Sequence, residues 1–292
     1  ANTTGTRITA VGFKALAANT CGNWNTAVGY IALASNTTGY HNTSIGYKAL
    51  VTNTTGLNNT GSGFYSMLAN TTGNNNVGYG GRALASNTTA NNNTASGYSS
   101  LRANTTGHSN TASGYYALGK NTTANNNTAQ GFRAMCSNIT GHSNTAVGMK
   151  ALATNTCGCN NTAVGMCSLV SNISGGMNTA IGQASLLGNT CGWYNTSSGY
   201  NSMKCNTTGF ENTASGYRAM RAITTGNYNV AIGSRALNSN TTANRNVAIG
   251  YKAMMDSTTG HSNVAVGNNA LENNTTGCYN TASGYNAGCT NS

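Results

Sequence analysis

The sequence predicts an all-β parallel solenoid, a β-roll with one coil per 17 residues. Three observations carry this reading: a strict 17-residue period, a large apolar residue in fixed phase, and a glycine in every unit. Asn25-Thr26-Ala27-Val28-Gly29-Tyr30 opens one unit, and Asn42-Thr43-Ser44-Ile45-Gly46-Tyr47 opens the next. The same start recurs without insertion or deletion as far as Asn280. A fixed period of this kind means stacked units, each burying its face against the next.

The whole chain, 1–292, reads as one repeat array. A partial unit covers 1–7, sixteen complete units cover 8–279, and a second partial unit covers 280–292. Positions 1 to 17 follow the consensus N-T-A-(V/S/I)-G-Y-x-(A/S)-(L/M)-x-x-N-T-(T/C)-G-x-x. The array begins and stops in mid-unit with no polar capping segment, as expected of a piece of a longer assembly. No apolar run approaches the length of a membrane span.

Only 6% of the residues are charged and proline is absent. Unphased chains of such composition stay disordered. Here position 9 is leucine or methionine in all 16 complete units, from Leu16 to Leu271, and a random polar linker does not hold phase.

Helical repeats are excluded by the glycine at position 5 of every unit, Gly12 to Gly284. Glycine costs a helix about 1 kcal/mol per position, and asparagine and threonine are weak helix formers. Segments such as Thr-Ala-Val-Gly supply β-branched residues, with glycine and asparagine available for corners. Coils stacked about 4.8 Å apart would make a rod of roughly 80 Å. Each coil offers a thin core of one Leu or Met with small alanines. Association of several chains, as a homotrimer or a head-to-tail filament, would bury more apolar surface.

Position 12 is an asparagine column. One reading is a hydrogen-bonded ladder that ties coil to coil. The other is N-glycosylation, because Asn-Thr-Thr is an acceptor sequon at Asn36, Asn53, Asn70, Asn87, Asn104, Asn121, Asn206, Asn240 and Asn274.

The segments Asn229-Val230-Ala231-Ile232-Gly233, Asn246-Val247-Ala248-Ile249-Gly250 and Asn263-Val264-Ala265-Val266-Gly267 resemble the repeat core of trimeric autotransporter adhesin heads. The full unit is similar to repeat arrays of bacterial and phage tail-fibre-like proteins. This resemblance covers the chain and implies trimeric β-rolls acting as rigid stalks or heads at a cell or virion surface. It also implies that positions 2 and 4 face inward, although position 4 is serine at Ser62, Ser96, Ser113, Ser198 and Ser215.

Enzyme chemistry finds few residues to use, and no cofactor is expected. The three acids, Glu211, Asp256 and Glu272, fall at positions 17, 11 and 10 of different coils. That spread argues against paired carboxylates. The four histidines sit at positions 16 and 17 of non-adjacent coils, which argues against a metal site within the chain. Cys21, Cys157 and Cys191 share position 14 but not neighbouring coils, so a ladder disulfide is out of reach. Position 14 reads as a tight site filled by small side chains, with buried free thiols; bridges between chains are the alternative.

The net charge of +11 is placed in columns. Position 7 holds Lys14, Lys48, Arg82, Arg133, Lys150, Arg218, Arg235 and Lys252, beside aromatic residues at position 6 such as Tyr217 and Tyr251. Arg221 and Arg245 support the densest stretch. Cations interleaved with aromatics can hold polyanions such as an acidic glycan or a host surface. The plainer reading of the same columns is a charged edge that blocks lateral aggregation, next to an aromatic ladder that stacks for stability. Together these features lead to a non-catalytic, extracellular structural or adhesive fibre. The alternative is an ice-binding solenoid built on threonine ladders, since position 2 is threonine in 13 of 17 units. Against that alternative stands the valine that position 2 accepts, which suits an inward site.

Overall fold

The computed structural model describes residues 2–289. It is all-β, a parallel β-solenoid with one three-residue strand per 17-residue coil and no helix among the described residues. None of its elements is a helix long and apolar enough to cross a membrane. The coils cluster into two compact units, Ala1–Ser143 and Asn144–Ser292.

The first unit holds β1 (Thr9–Val11), β2 (Thr26–Val28) and their equivalents at each coil through β8 (Thr128–Gln130). Strands pair in parallel with position matched to position, so Thr9, Ala10 and Val11 lie against Thr26, Ala27 and Val28. The second unit runs from β9 (Thr145–Val147) to β17 (Thr281–Ser283) with the same register, for instance Val230, Ala231 and Ile232 of β14 (Val230–Ile232) against Val247, Ala248 and Ile249 of β15 (Val247–Ile249).

The core is made of positions 1, 3, 8, 9 and 12. Leu33, Leu50, Met67, Leu84, Leu101, Leu118 and Met135 are wholly buried in the first unit, as expected of position 9. Alanines at positions 3 and 8 pack beside them. The backbone reaches this arrangement through left-handed residues. Positions 7, 9 and 17 take φ near +50 to +60°, as at Lys48, Leu50 and His41. Position 5 takes φ of +112 to +136°, which only glycine adopts without strain.

That glycine also has no room for a side chain. A Cβ at Gly97 would stand 2.6 Å from the carbonyl oxygen of Gly114 in the next coil.

Two asparagine columns, not one, hold the coils together. At position 12, Asn36 Nδ2 donates to Asn19 Oδ1 at 2.9 Å and to the Gly39 carbonyl at 2.9 Å. At position 1, Asn25 Nδ2 donates to the same Gly39 carbonyl at 2.7 Å, and its Oδ1 accepts the backbone N–H of Asn42 at 2.9 Å. Asn25 and Asn36 are buried with both side-chain atoms engaged, the condition under which a buried amide stabilises rather than costs. The nine sequon asparagines, Asn36, Asn53, Asn70, Asn87, Asn104, Asn121, Asn206, Asn240 and Asn274, lie in this buried column. Their nitrogens face the interior, so the glycosylation reading does not fit the folded coil.

Two further expectations are corrected. Positions 2 and 4 face outward, with Ile45 at 44% and Ile232 at 43% exposure. The inward strand residue is position 3, whose space is limited: a Cβ at Gly61 would lie 3.2 Å from the Leu50 side chain. Only alanine, serine or glycine fits there, and the β-branched residues turn to solvent. The valines at position 2 therefore no longer argue for an inward site.

Position 14 is also on the outside. Cys21, Cys157 and Cys191 are exposed free thiols, and Cys136, at position 10, is the buried one among the described cysteines. The cause is local. The N–H groups of positions 13, 14 and 15 converge on one carbonyl of the next coil, as Thr20, Cys21 and Gly22 do on Thr37 O at 2.9, 3.2 and 3.3 Å. A turn closed this tightly points its middle side chain away.

Candidate basic and aromatic ladder

The glycine at position 5 and the left-handed residue at position 7 bracket position 6 and present its side chain to solvent. In-register coils then bring successive rings within stacking distance. Phe13 and Tyr30 stack at 5.2 Å between centroids, Tyr30 and Tyr47 at 5.4 Å, Tyr98 and Tyr115 at 5.8 Å, and Tyr115 and Phe132 at 5.4 Å, all within 13° of coplanar. In the second unit Tyr217 stacks on Tyr200 at 5.7 Å. Offset-stacked pairs of this kind are worth about 0.5–1.5 kcal/mol each beyond their burial.

The column is interrupted where position 6 is not aromatic. At Gly81 the Phe64 ring lies over the vacant side-chain space and makes a tilted contact with Tyr98 at 6.2 Å. Tyr251 stands between Ser234 and Asn268 in the sequence of the column.

Four position 7 cations lie over the ring that precedes them. Lys14 Nζ is 5.4 Å from the Phe13 centroid, Lys48 5.3 Å from Tyr47, Lys252 5.5 Å from Tyr251, and the Arg218 guanidinium 5.0 Å from Tyr217. Exposed cation–π pairs contribute about 0.5–1 kcal/mol. Arg82, Arg133, Lys150 and Arg235 occupy the same position in their coils.

The stretch expected to be densest is less uniform than its sequence suggests. Lys252 is paired with Glu272, Nζ to Oε1 at 3.3 Å. Arg245 falls at position 17, before the strand rather than after it, with its guanidinium 6.0 Å from the Tyr228 ring. It is therefore not part of the position 6 and 7 stripe. Arg221 sits at position 10, outside the position 6 and 7 columns, and the Nε atoms of both Arg218 and Arg221 are buried without a hydrogen-bond partner.

Two of the acids are closer than their column numbers imply. Asp256 N–H donates to the Glu272 carbonyl at 2.9 Å, so these residues are neighbours in adjacent coils. The Glu272 carboxylate is engaged by Lys252. No group of three or more metal-binding side chains occurs among the described residues.

Sequence reasoning missed a second row of cations. Arg102 and Lys120, at positions 10 and 11, border the stripe alongside Tyr65 and Tyr116 at position 7. A depression of about 390 Å³ is bounded by Tyr65, Arg82, Ser86 and Arg102, and another of about 340 Å³ by Ser86, Arg102, Tyr116 and Lys120. Tallying charge over every column, instead of the richest one, would have found them. No family model matches the chain, and no curated protein matches it either.

Proposed function

We propose that this chain is a non-catalytic structural or adhesive β-solenoid, displayed outside a cell or on a virion, that holds polyanionic glycans along its basic and aromatic stripe. The observation that carries this reading is the alignment of stacked rings and cations in one set of columns, in a chain with 14 basic and 3 acidic residues. Each contact is weak, but several neutralised anions in series give strong, salt-sensitive binding.

Self-association is the second half of the proposal. Positions 2 and 4 face outward, and neither column contains a charged residue in any coil. In a chain of charge +11, that face is where copies approach one another with least repulsion. It is also apolar at Ile232, Ile249, Val264 and Val266, and exposed apolar patches mark interaction surfaces. A homotrimer or filament assembled through this face agrees with the thin core of each coil.

The test is retention of the full chain on an immobilised sulfated polysaccharide, eluted with salt. The Arg218→Gln, Arg221→Gln, Arg235→Gln variant is expected to elute earlier than the parent. Equal elution would mean that this stripe is a solubility edge.

A second reading has one observation in its favour. The position 2 threonines are outward and in register, Thr9 against Thr26 and Thr26 against Thr43, which is the arrangement an ice-binding face needs. Strong inhibition of ice growth in a thermal-hysteresis assay would favour it over the adhesive one.

A further inference from the structure

The geometry points to a specific glycan groove in the first unit, spanning Tyr65 to Arg133, that takes a linear polyuronate with one carboxylate per sugar. This rests on the adhesive reading and deepens it. The groove is built from three adjoining depressions. The first, about 390 Å³, shares Ser86 and Arg102 with the second, about 340 Å³. The second shares Tyr116 and Lys120 with the third, about 250 Å³, which reaches Tyr115 and Arg133.

The charges advance one coil at a time. Arg82, Arg102, Lys120 and Arg133 belong to the successive coils that begin at Asn76, Asn93, Asn110 and Asn127. Their shift between positions 7, 10 and 11 spreads them along the linings of the three depressions. No acidic residue precedes Glu211 in the chain, so none of the four has a carboxylate partner in its unit. Among the described residues, none of the four lies over an aromatic ring, in contrast to Lys14, Lys48, Arg218 and Lys252. Arg102, Lys120 and Arg133 are exposed and Arg82 is half-buried, so all four are charged and open to a ligand from solvent.

The pitch selects the ligand. Successive coils stand about 4.8 Å apart, close to the length that one pyranose adds to a linear chain. A polyuronate in the groove would therefore present about one carboxylate per coil along the axis, with the lateral offset between positions 7, 10 and 11 spanned by the long Arg and Lys side chains. Tyr65 and Tyr116 offer flat apolar faces with a polar end, which suits a sugar's C–H face and hydroxyl rim, and Ser86 lies between them on the groove wall. Phosphates along one strand of a nucleic-acid duplex rise about 3.4 Å each along the axis, out of step with the coils. A single strand, which has no such fixed rise, is the competitor in the experiment below.

The experiment uses the full chain and a hexamer of polygalacturonate, with affinity measured between about 50 and 200 mM salt. Four neutralised charges at about 0.7 counterions each give a slope of log affinity against log salt near −3, or about a fifty-fold loss across that range. The variant Arg82→Gln, Arg102→Gln, Lys120→Gln, Arg133→Gln is expected to lose at least about tenfold in affinity and most of the slope. Arg102→Lys, which keeps the charge, should retain both. An unchanged β-sheet circular dichroism spectrum and melting temperature show that the variants remain folded. If the quadruple variant binds like the parent while the Arg218→Gln, Arg221→Gln, Arg235→Gln variant does not, the groove assignment fails and the adhesive reading stands. If the parent binds neither the hexamer nor a sulfated polysaccharide, both fail. Displacement of the hexamer by an equal concentration of oligothymidylate would overturn the polyuronate in favour of nucleic acid.

Discussion

Ile223 occupies the place in the asparagine column where Asn206 Oδ1 would find its next partner, and that oxygen is left buried and unpaired. From Asn19 to Asn206 every coil carries asparagine at position 12. Beyond the isoleucine the damage continues: Asn240 Nδ2 also has no partner, and its Oδ1 accepts the Ala243 N–H at 3.2 Å instead. One apolar residue thus orphans a polar group on each side.

Ile223→Asn should therefore stabilise the second unit. Two buried groups regain partners, and leaving such a group unsatisfied costs about 1–3 kcal/mol. The expected gain is of that order, less the apolar burial lost with the isoleucine side chain. Urea unfolding followed by circular dichroism checks it, and an unchanged or lower midpoint would contradict the ladder energetics.

Gly97→Ala should be severely destabilising. The residue sits at φ +135°, and its Cβ would stand 2.6 Å from the Gly114 carbonyl oxygen. Backbone strain of about 1–3 kcal/mol adds to overpacking of similar size. A loss of about 3 kcal/mol or more in the same unfolding assay is the expected result.

Cys21 should alkylate faster than Cys136. Hydrogen bonds from the Thr4 and then the Thr20 side chains hold its thiol pKa below the ordinary value, and it is exposed, whereas Cys136 is buried. A lowered pKa means more thiolate at neutral pH, and the thiolate is the nucleophile. The rate for Cys21 should rise with pH and level off earlier than for an ordinary thiol. Mass spectrometry after timed iodoacetamide treatment reads both sites.

Ile232→Lys with Ile249→Lys should weaken self-association without unfolding the chain. Both side chains are exposed, at 43% and 38%, on β14 and β15. Two like charges placed on an uncharged face repel the same face of another copy. Sedimentation velocity should show a shift toward monomer at unchanged melting temperature.

Much of this architecture was legible in the sequence. The period gave the coil, the phase of Leu50 and its equivalents gave the interior, and Gly97 and its column gave the corner. The asparagine ladder at position 12 and the stacking of Tyr30 on Tyr47 followed from columns alone. The orientation of Ile45 and Ile232 did not. Hydrophobicity places β-branched residues inside, but the opposing Leu50 wall leaves room only for position 3 residues such as Ser44 or Gly61. The buried asparagine at position 1 carried a signal, its invariance from Asn25 to Asn280. That signal marked the start of the unit without revealing that the side chain turns inward. Arg102 and Lys120 escaped notice because the groove they border is formed by two columns, neither rich in charge by itself.

Every ladder depends on the 17-residue register, and removing coils tests it most directly. Deleting residues 93–109 takes out one whole coil and leaves Asn76 and Asn110 in register. Deleting 93–108 removes one residue fewer and shifts every later column. In stacked repeats stability is roughly a sum over units and their interfaces. The 17-residue deletion should therefore melt cooperatively near the parent temperature with the same β-sheet spectrum. The 16-residue deletion puts inward side chains outward beyond the junction and should lose that transition. Equal melting of the two deletions would contradict the account.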